Sequence, residues 1–196
     1  MDLNYSPAHQ DFQAEVRAFI AAHRHLAPTS TRAPRDPVAR AWQKLLIAHG
    51  YAARSIPQAY GGAGLAPDLL KSRIVAEEFA RAGVNPGLGG QGIQMLVPTL
   101  LEMGSEAQKQ QFIAPTLAGD IVWCQGYSEP GAGSDLASLS TRAVLDGDHW
   151  VVNGQKIWTS TAHLADWMFC LVRTEPAAPK HQGISFLLFR MDTPGI

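Results

Sequence analysis

An excess of charge of either sign is missing from this chain. Sixteen basic and seventeen acidic residues leave a formal net charge of −1. That balance gives no electrostatic footprint for nucleic acid and no polybasic stretch for an anionic membrane. Cysteine is scarce. Cys124 and Cys170 both sit in apolar segments without CxxC spacing, which reads as two buried thiols in a reducing cytoplasm, where a disulfide would be unusual. No uninterrupted apolar run approaches the roughly 20 residues of a membrane-spanning helix. The start, Met1-Asp-Leu-Asn-Tyr-Ser-Pro7, lacks a charged region followed by an apolar one, so no secretory signal is expected. Metal-ligand spacing is absent as well. His23 and His25 are two apart, and His9, His49, His149, His163 and His181 are scattered, so no metal site is expected. There is no internal repeat and no low-complexity segment. A cytoplasmic location is the default.

What is present divides near residue 120. Before it, apolar residues recur at helical spacing. Ser6 and Pro7 open a predicted helix with Phe12, Val16, Phe19 and Ile20 on one face. Asp36-Pro37 opens a second, with Val38, Trp42, Leu45 and Leu46 on one face and Gly50 closing it. A third is predicted from Pro67 to Ala82, and a fourth carries Ile93, Leu96, Val97, Leu100 and Leu101. Ser105 and Gln108 form a capping box for a fifth, since each side chain can satisfy an orphaned amide. Residues 55–65 read as a loop. After 120, short β-rich runs alternate with glycine turns. Ile121 to Tyr127, Trp167 to Thr174 and Ile184 to Arg190 read as strands, and Asp146-Gly147 and Asn153-Gly154 as hairpin turns. The fold class is therefore α+β and multidomain: an all-α helical domain over 1–120, then an antiparallel β domain over 121–196. Strands and helices do not alternate, which argues against a doubly wound sheet.

The stretch Trp123-Cys-Gln-Gly-Tyr-Ser-Glu-Pro-Gly-Ala-Gly-Ser-Asp135 carries the first chemical signal. Glycines after a strand let backbone approach a ligand and turn successive N–H groups toward an anion. It is not the dinucleotide fingerprint, because Leu136 stands where a third glycine would, and no Gly-Lys-Ser/Thr comes after it for a Walker loop. Taken alone, it reads better as a proline-glycine surface turn.

Its context changes that reading. Tyr127-Ser-Glu-Pro-Gly-Ala-Gly-Ser-Asp135 followed by Asn153-Gly-Gln-Lys-Ile-Trp-Thr-Ser160 resembles the acyl-CoA dehydrogenase family. Ala165-Asp-Trp167, Gly61-Gly-Ala-Gly64 and Gly104-Ser-Glu-Ala-Gln-Lys-Gln110 extend the likeness over nearly the whole chain. The resemblance implies a helical domain, a middle β-barrel and a C-terminal four-helix domain. The barrel here would be incomplete and the last domain absent. It implies FAD, with Gln125, Tyr127, Ser128, Gly133 and Ser134 along the flavin and diphosphate. Trp158 would pack on the ring, where residues alone would suggest a barrel-core aromatic, and Thr159 and Ser160 would sit beside it. Ser134 would also meet the substrate's pantetheine. Many members have threonine at the Ser128 and Ser160 positions; serine keeps the hydroxyl. Glu129 is expected to fix the loop rather than act as a base.

The implied reaction is α,β-desaturation of an acyl-CoA thioester, with electron-transfer flavoprotein or a similar acceptor as partner and a homo- or hetero-oligomer as assembly. The family's base lies in the absent domain, so no catalytic residue is assigned and the isolated chain is expected to be inactive. A non-catalytic flavin-binding subunit, or an acyl-CoA oxidase or flavin monooxygenase of the same fold, shares these motifs. Gly87, Gly89, Gly90 and Gly92 lie where the family lines its acyl pocket. They are read either as room for a bulky acyl group or as a delay in starting the fourth helix.

Overall fold

The computed structural model describes residues 5–29 and 35–196; residues 1–4 of the N-terminal stretch lie outside them. The chain forms two compact units, one holding residues up to Gly89 with Val97–Asp120, the other Gly90–Leu96 with Ile121–Ile196.

The first unit is helical: α1 (Pro7–His23), α2 (Pro37–Ala48), α3 (Leu69–Ala82), α4 (Val97–Met103) and α5 (Glu106–Leu117). Val16, Phe19 and Ile20 of α1 meet Trp42 and Leu46 of α2 and Ile74, Val75 and Phe79 of α3 in one buried cluster. Local chemistry sets the helix ends. Asp68 accepts the Lys71 amide, which starts α3 one residue later, and Gly83 ends it in the left-handed conformation. Both capping-box bonds of Ser105 and Gln108 are made.

Three local expectations need correction. Ser6 stands at the N-cap of α1, but its hydroxyl pairs with the His9 ring at 2.7 Å instead of capping. The buried face of α2 is Ala39, Trp42, Gln43 and Leu46, while Val38 is half-exposed. Gln43 replaces it inside because its Oε1 accepts the Leu88 amide at 2.8 Å. The predicted fourth helix is two pieces, a π turn at Gly92–Leu96 and then α4. Pro98 has no N–H for the upstream carbonyl and crowds it, and the wider turn directly precedes that proline. Among the described residues, no helix is long and apolar enough to cross a membrane.

The second unit is a five-stranded sheet of β1 (Trp123–Gly126), β2 (Arg142–Asp146), β3 (His149–Asn153), β4 (Trp167–Arg173) and β5 (Ile184–Arg190). β4 is central. β5 runs antiparallel to it from Trp167↔Arg190 to Arg173↔Ile184. β1 runs parallel to it from Trp123↔Trp167 to Gly126↔Cys170, and β2 touches its end at Arg142↔Arg173, also parallel. The sheet is therefore mixed rather than wholly antiparallel. The excursion between β1 and β4 is long enough to reverse the chain twice, and residue alternation does not encode strand direction. Met168, Phe169 and Cys170 are all buried, as a central strand covered on both faces requires.

Asp146-Gly147 forms the β2–β3 hairpin, Gly147 at φ 62°. Asn153-Gly154 does not form a second one. A Cβ on Gly154 would lie 2.3 Å from Thr141 Oγ1, so this glycine admits a close backbone approach instead. Gly87 has a comparable reason. Its φ is 101°, and a side chain there would meet Gln43 Oε1 at 2.5 Å. Gly90, at φ 96°, likewise answers to the backbone, so at Gly87 and Gly90 chain conformation accounts for the glycine.

Candidate functional site

β1 delivers the glycine-rich loop. Phe169 of β4 meets the Tyr127 ring edge-on at 5.7 Å and stacks on Phe186 at 5.8 Å, so Tyr127 enters the loop already oriented. Burial pushes its phenol up, with Gln125 partly countering. Gln125 Nε2 donates to Met95 Sδ at 3.4 Å. Gly126 leaves room for the side chains of β4, since a Cβ would fall 2.6 Å from Met168 Sδ and 2.9 Å from Cys170 Sγ. The buried, free thiols Cys124 and Cys170 lie in the core beneath, and burial drives each up to about 11.

Reciprocal bonds, Glu129 N to Ala132 O at 2.9 Å and Ala132 N to Glu129 O at 3.1 Å, close a turn with Pro130 and Gly131 at its tip. The Glu129 carboxylate turns inward and is 4% exposed. It accepts from the Ser140 amide (2.7 Å), the Ser140 hydroxyl (2.9 Å), the Thr141 amide (2.9 Å) and Lys156 Nζ (2.8 Å). Burial alone would raise its pKa, but these donors more than offset it and hold the carboxyl at about 2. The expected loop-fixing role of Glu129 matches this geometry.

Beyond the turn, Gly133 and Ser134 are exposed, and a Cβ added at Gly131 or Gly133 would meet open space. Asp135 receives Lys180 Nζ at 2.6 Å. Arg173 anchors the next stretch of chain, donating to the carbonyls of Ala137 (2.7 Å), Leu139 (3.1 Å) and Lys180 (3.2 Å).

The second segment returns beside the first. Lys156 Nζ also donates to Tyr127 O at 3.1 Å, and the Ile157 amide to Ser128 O at 2.9 Å. Trp158 then adopts φ 58° with 84% of its surface exposed. A bulky residue at positive φ is a genuine outlier, and such strain gathers at ligand clamps and active sites. Within this chain, Trp158 is not packed into a core. Thr159 is half-buried and its carbonyl accepts the Ala162 amide at 3.1 Å; Ser160 is exposed and its amide donates to Trp158 O at 2.9 Å. Among the described residues, the hydroxyls of Ser128, Ser134 and Ser160 make no hydrogen bond to protein.

Of the residues singled out from sequence, Tyr127 and Ser128 are thus brought beside the segment carrying Trp158, Thr159 and Ser160. Gln125 lies upstream on β1, and Gly133 and Ser134 lie past the turn. Lys156 and Arg173, which hold these pieces, were not singled out. Each is one lysine or arginine among sixteen basic residues, and its partners lie on distant segments.

Residues 6–120 match the family model for the acyl-CoA dehydrogenase N-terminal domain, and residues 124–196 that for the middle domain. Acyl-CoA dehydrogenase IpdE1 of Mycobacterium tuberculosis is 41% identical over 196 residues, covering 95% of this chain and 50% of its own length. Among solved structures, the Tcur3481-Tcur3483 steroid ACAD aligns with a TM-score of 0.76 at 37% identity, over 100% of this chain and 50% of that one. The ChsE4-ChsE5 complex from Mycobacterium tuberculosis aligns with a TM-score of 0.73 at 36% identity, over 98% and 49%. The chain spans about half the length of the relatives it matches.

Proposed function

The chain belongs to the acyl-CoA dehydrogenase family, a family of flavin-dependent oxidoreductases, and from that premise we propose that its parent protein desaturates an acyl-CoA thioester between the α and β carbons, using FAD held along residues 125–134 and 158–160. The observation that carries this reading is Trp158. Its indole is exposed on a strained backbone, close in sequence to an unengaged hydroxyl at Ser160 and on a segment bonded to Ser128. The donor set fits a flavin: an aromatic face for the ring, free hydroxyls for its polar edge, and a glycine loop with no side chain in the way. FAD, when bound, supplies the hydride acceptor.

Ser128 and Ser160 donate to the ring's polar edge, where fixed dipoles stabilise the charge of the reduced form. Trp158 packs on the ring, Gln125 and Tyr127 border it, and Thr159 holds the turn. Gly133 admits the diphosphate closely, and Ser134 serves both it and the substrate's pantetheine. Glu129 is no general base. Its carboxylate accepts four hydrogen bonds, and a pKa of about 2 is far from the working pH that favours proton abstraction.

Electron-transfer flavoprotein or a similar acceptor would reoxidise the flavin, in a homo- or hetero-oligomeric enzyme of lipid catabolism. Two buried free thiols support a cytoplasmic setting. A ring-bearing acyl group is the favoured substrate class, by analogy with the steroid ACAD. Anaerobic addition of straight, branched and ring-bearing acyl-CoAs to the flavin-loaded parent protein tests this. Bleaching of the visible flavin band, fastest with ring-bearing substrates, is expected. A band unchanged by every acyl-CoA refutes the dehydrogenase reading and leaves a non-catalytic flavin subunit; fastest bleaching by a short straight chain refutes the substrate class alone.

A further inference from the structure

The two loops of the candidate site are far apart in sequence, yet three bonds join them: Lys156 Nζ to Glu129 Oε1 (2.8 Å), Lys156 Nζ to Tyr127 O (3.1 Å), and Ile157 N to Ser128 O (2.9 Å). A lysine in such a segment could extend into water. This one is drawn inward until its side chain is 8% exposed, against a carboxylate side chain at 4%. Withdrawing two charges from water is unfavourable, and an apolar pair of the same volume often serves stability as well or better. The geometry the pair imposes is then the better account of its presence.

That geometry ends at Trp158. The indole is almost wholly exposed, so its own side-chain packing does not hold the backbone at φ 58°. The restraint comes from the anchors on either side. Lys156 and Ile157 fix the chain before it, and Ser160 N to Trp158 O (2.9 Å) with Ala162 N to Thr159 O (3.1 Å) fix the chain after it. Tyr127 and Ser128 are held by the same clamp through their carbonyls.

We propose that the buried Glu129–Lys156 pair is the positioning element of the cofactor face, joining the two loops so that Trp158, Ser128 and Ser160 present one prearranged surface to the flavin. The inference rests on the functional reading above. Neither residue touches the flavin; each acts through the backbone it holds. Prearrangement of this kind raises affinity by removing the ordering that binding would otherwise require.

The test uses the complete parent polypeptide. Lys156→Met alone strands a buried carboxylate and serves only as a folding control. The informative variant is Glu129→Gln with Lys156→Met, which removes both charges while leaving one acceptor oxygen, enough for the Ser140 or the Thr141 amide but not for both. It is expected to melt cooperatively. Its FAD dissociation constant should rise roughly tenfold, with weaker quenching of flavin fluorescence. In the unloaded protein, the Ile157 and Ser160 amides should exchange hydrogen faster. Wild-type affinity and exchange in a folded double variant overturn the proposal, and so does a double variant that fails to fold, which makes the pair structural only. A wild-type protein that takes up no FAD refutes the functional reading instead, while the exchange rates still decide the clamp.

Discussion

Glu129 combines deep burial with a carboxyl held at about 2 against an ordinary 4.5. A depressed folded pKa contributes stability that is present above the unfolded value and lost as pH falls through the folded one. The thermal midpoint of the native protein should therefore drop between about pH 4.5 and pH 2 more steeply than that of Glu129→Gln, whose residue 129 does not titrate. Parallel melting curves across that window would show that the carboxylate's four bonds do not contribute as argued. The same four bonds separate a structural carboxylate from a catalytic one. Sequence favoured a structural Glu129 between Ser128 and Pro130, but it gave no hint of Lys156, which completes the arrangement from a segment 27 residues away.

The elements differ in how far local chemistry specifies them. The capping box of α5 is local, so Ser105→Ala should lower stability by about 1 kcal/mol in urea unfolding; an unchanged midpoint would count against the cap. Gly154 is not local in that sense. Its glycine answers to Thr141 on another segment, and Gly154→Ala should destabilise by roughly 1–3 kcal/mol through overpacking, measured by the same unfolding. The end of α3 at Ala82 and the start of α5 at Ser105 were legible because cap and amide are neighbours in sequence, whereas α3 begins at Leu69, after Asp68, rather than at Pro67. The buried face of α2 was misread at Val38 because Gln43 answers to the amide of Leu88. The turn at Asn153-Gly154 and the parallel pairing of β1 with β4 were misread for the same reason: tertiary partners decide them. At the candidate site, residue types and motif order were legible, whereas the joining of the two loops was not.

For the whole molecule, membership of the acyl-CoA dehydrogenase family and the helical-plus-sheet architecture agree with the resemblance carried by the two motifs. The 196 residues correspond to about half the length of IpdE1 and of the steroid ACAD, so the chemistry of the parent protein is a reading tested on that protein. Its central claim is that FAD lies against residues 125–134 and 158–160 with Trp158 on the ring. The most direct measurement is equilibrium titration of the parent protein with FAD, wild type against Trp158→Ala, with circular dichroism to establish an unchanged fold. An exposed indole stacked on a flat ring contributes on the order of 1 kcal/mol beyond its buried area. The account predicts uptake of FAD by the wild type and about tenfold weaker binding by the variant; absence of uptake, or equal affinity of the two proteins, would contradict it.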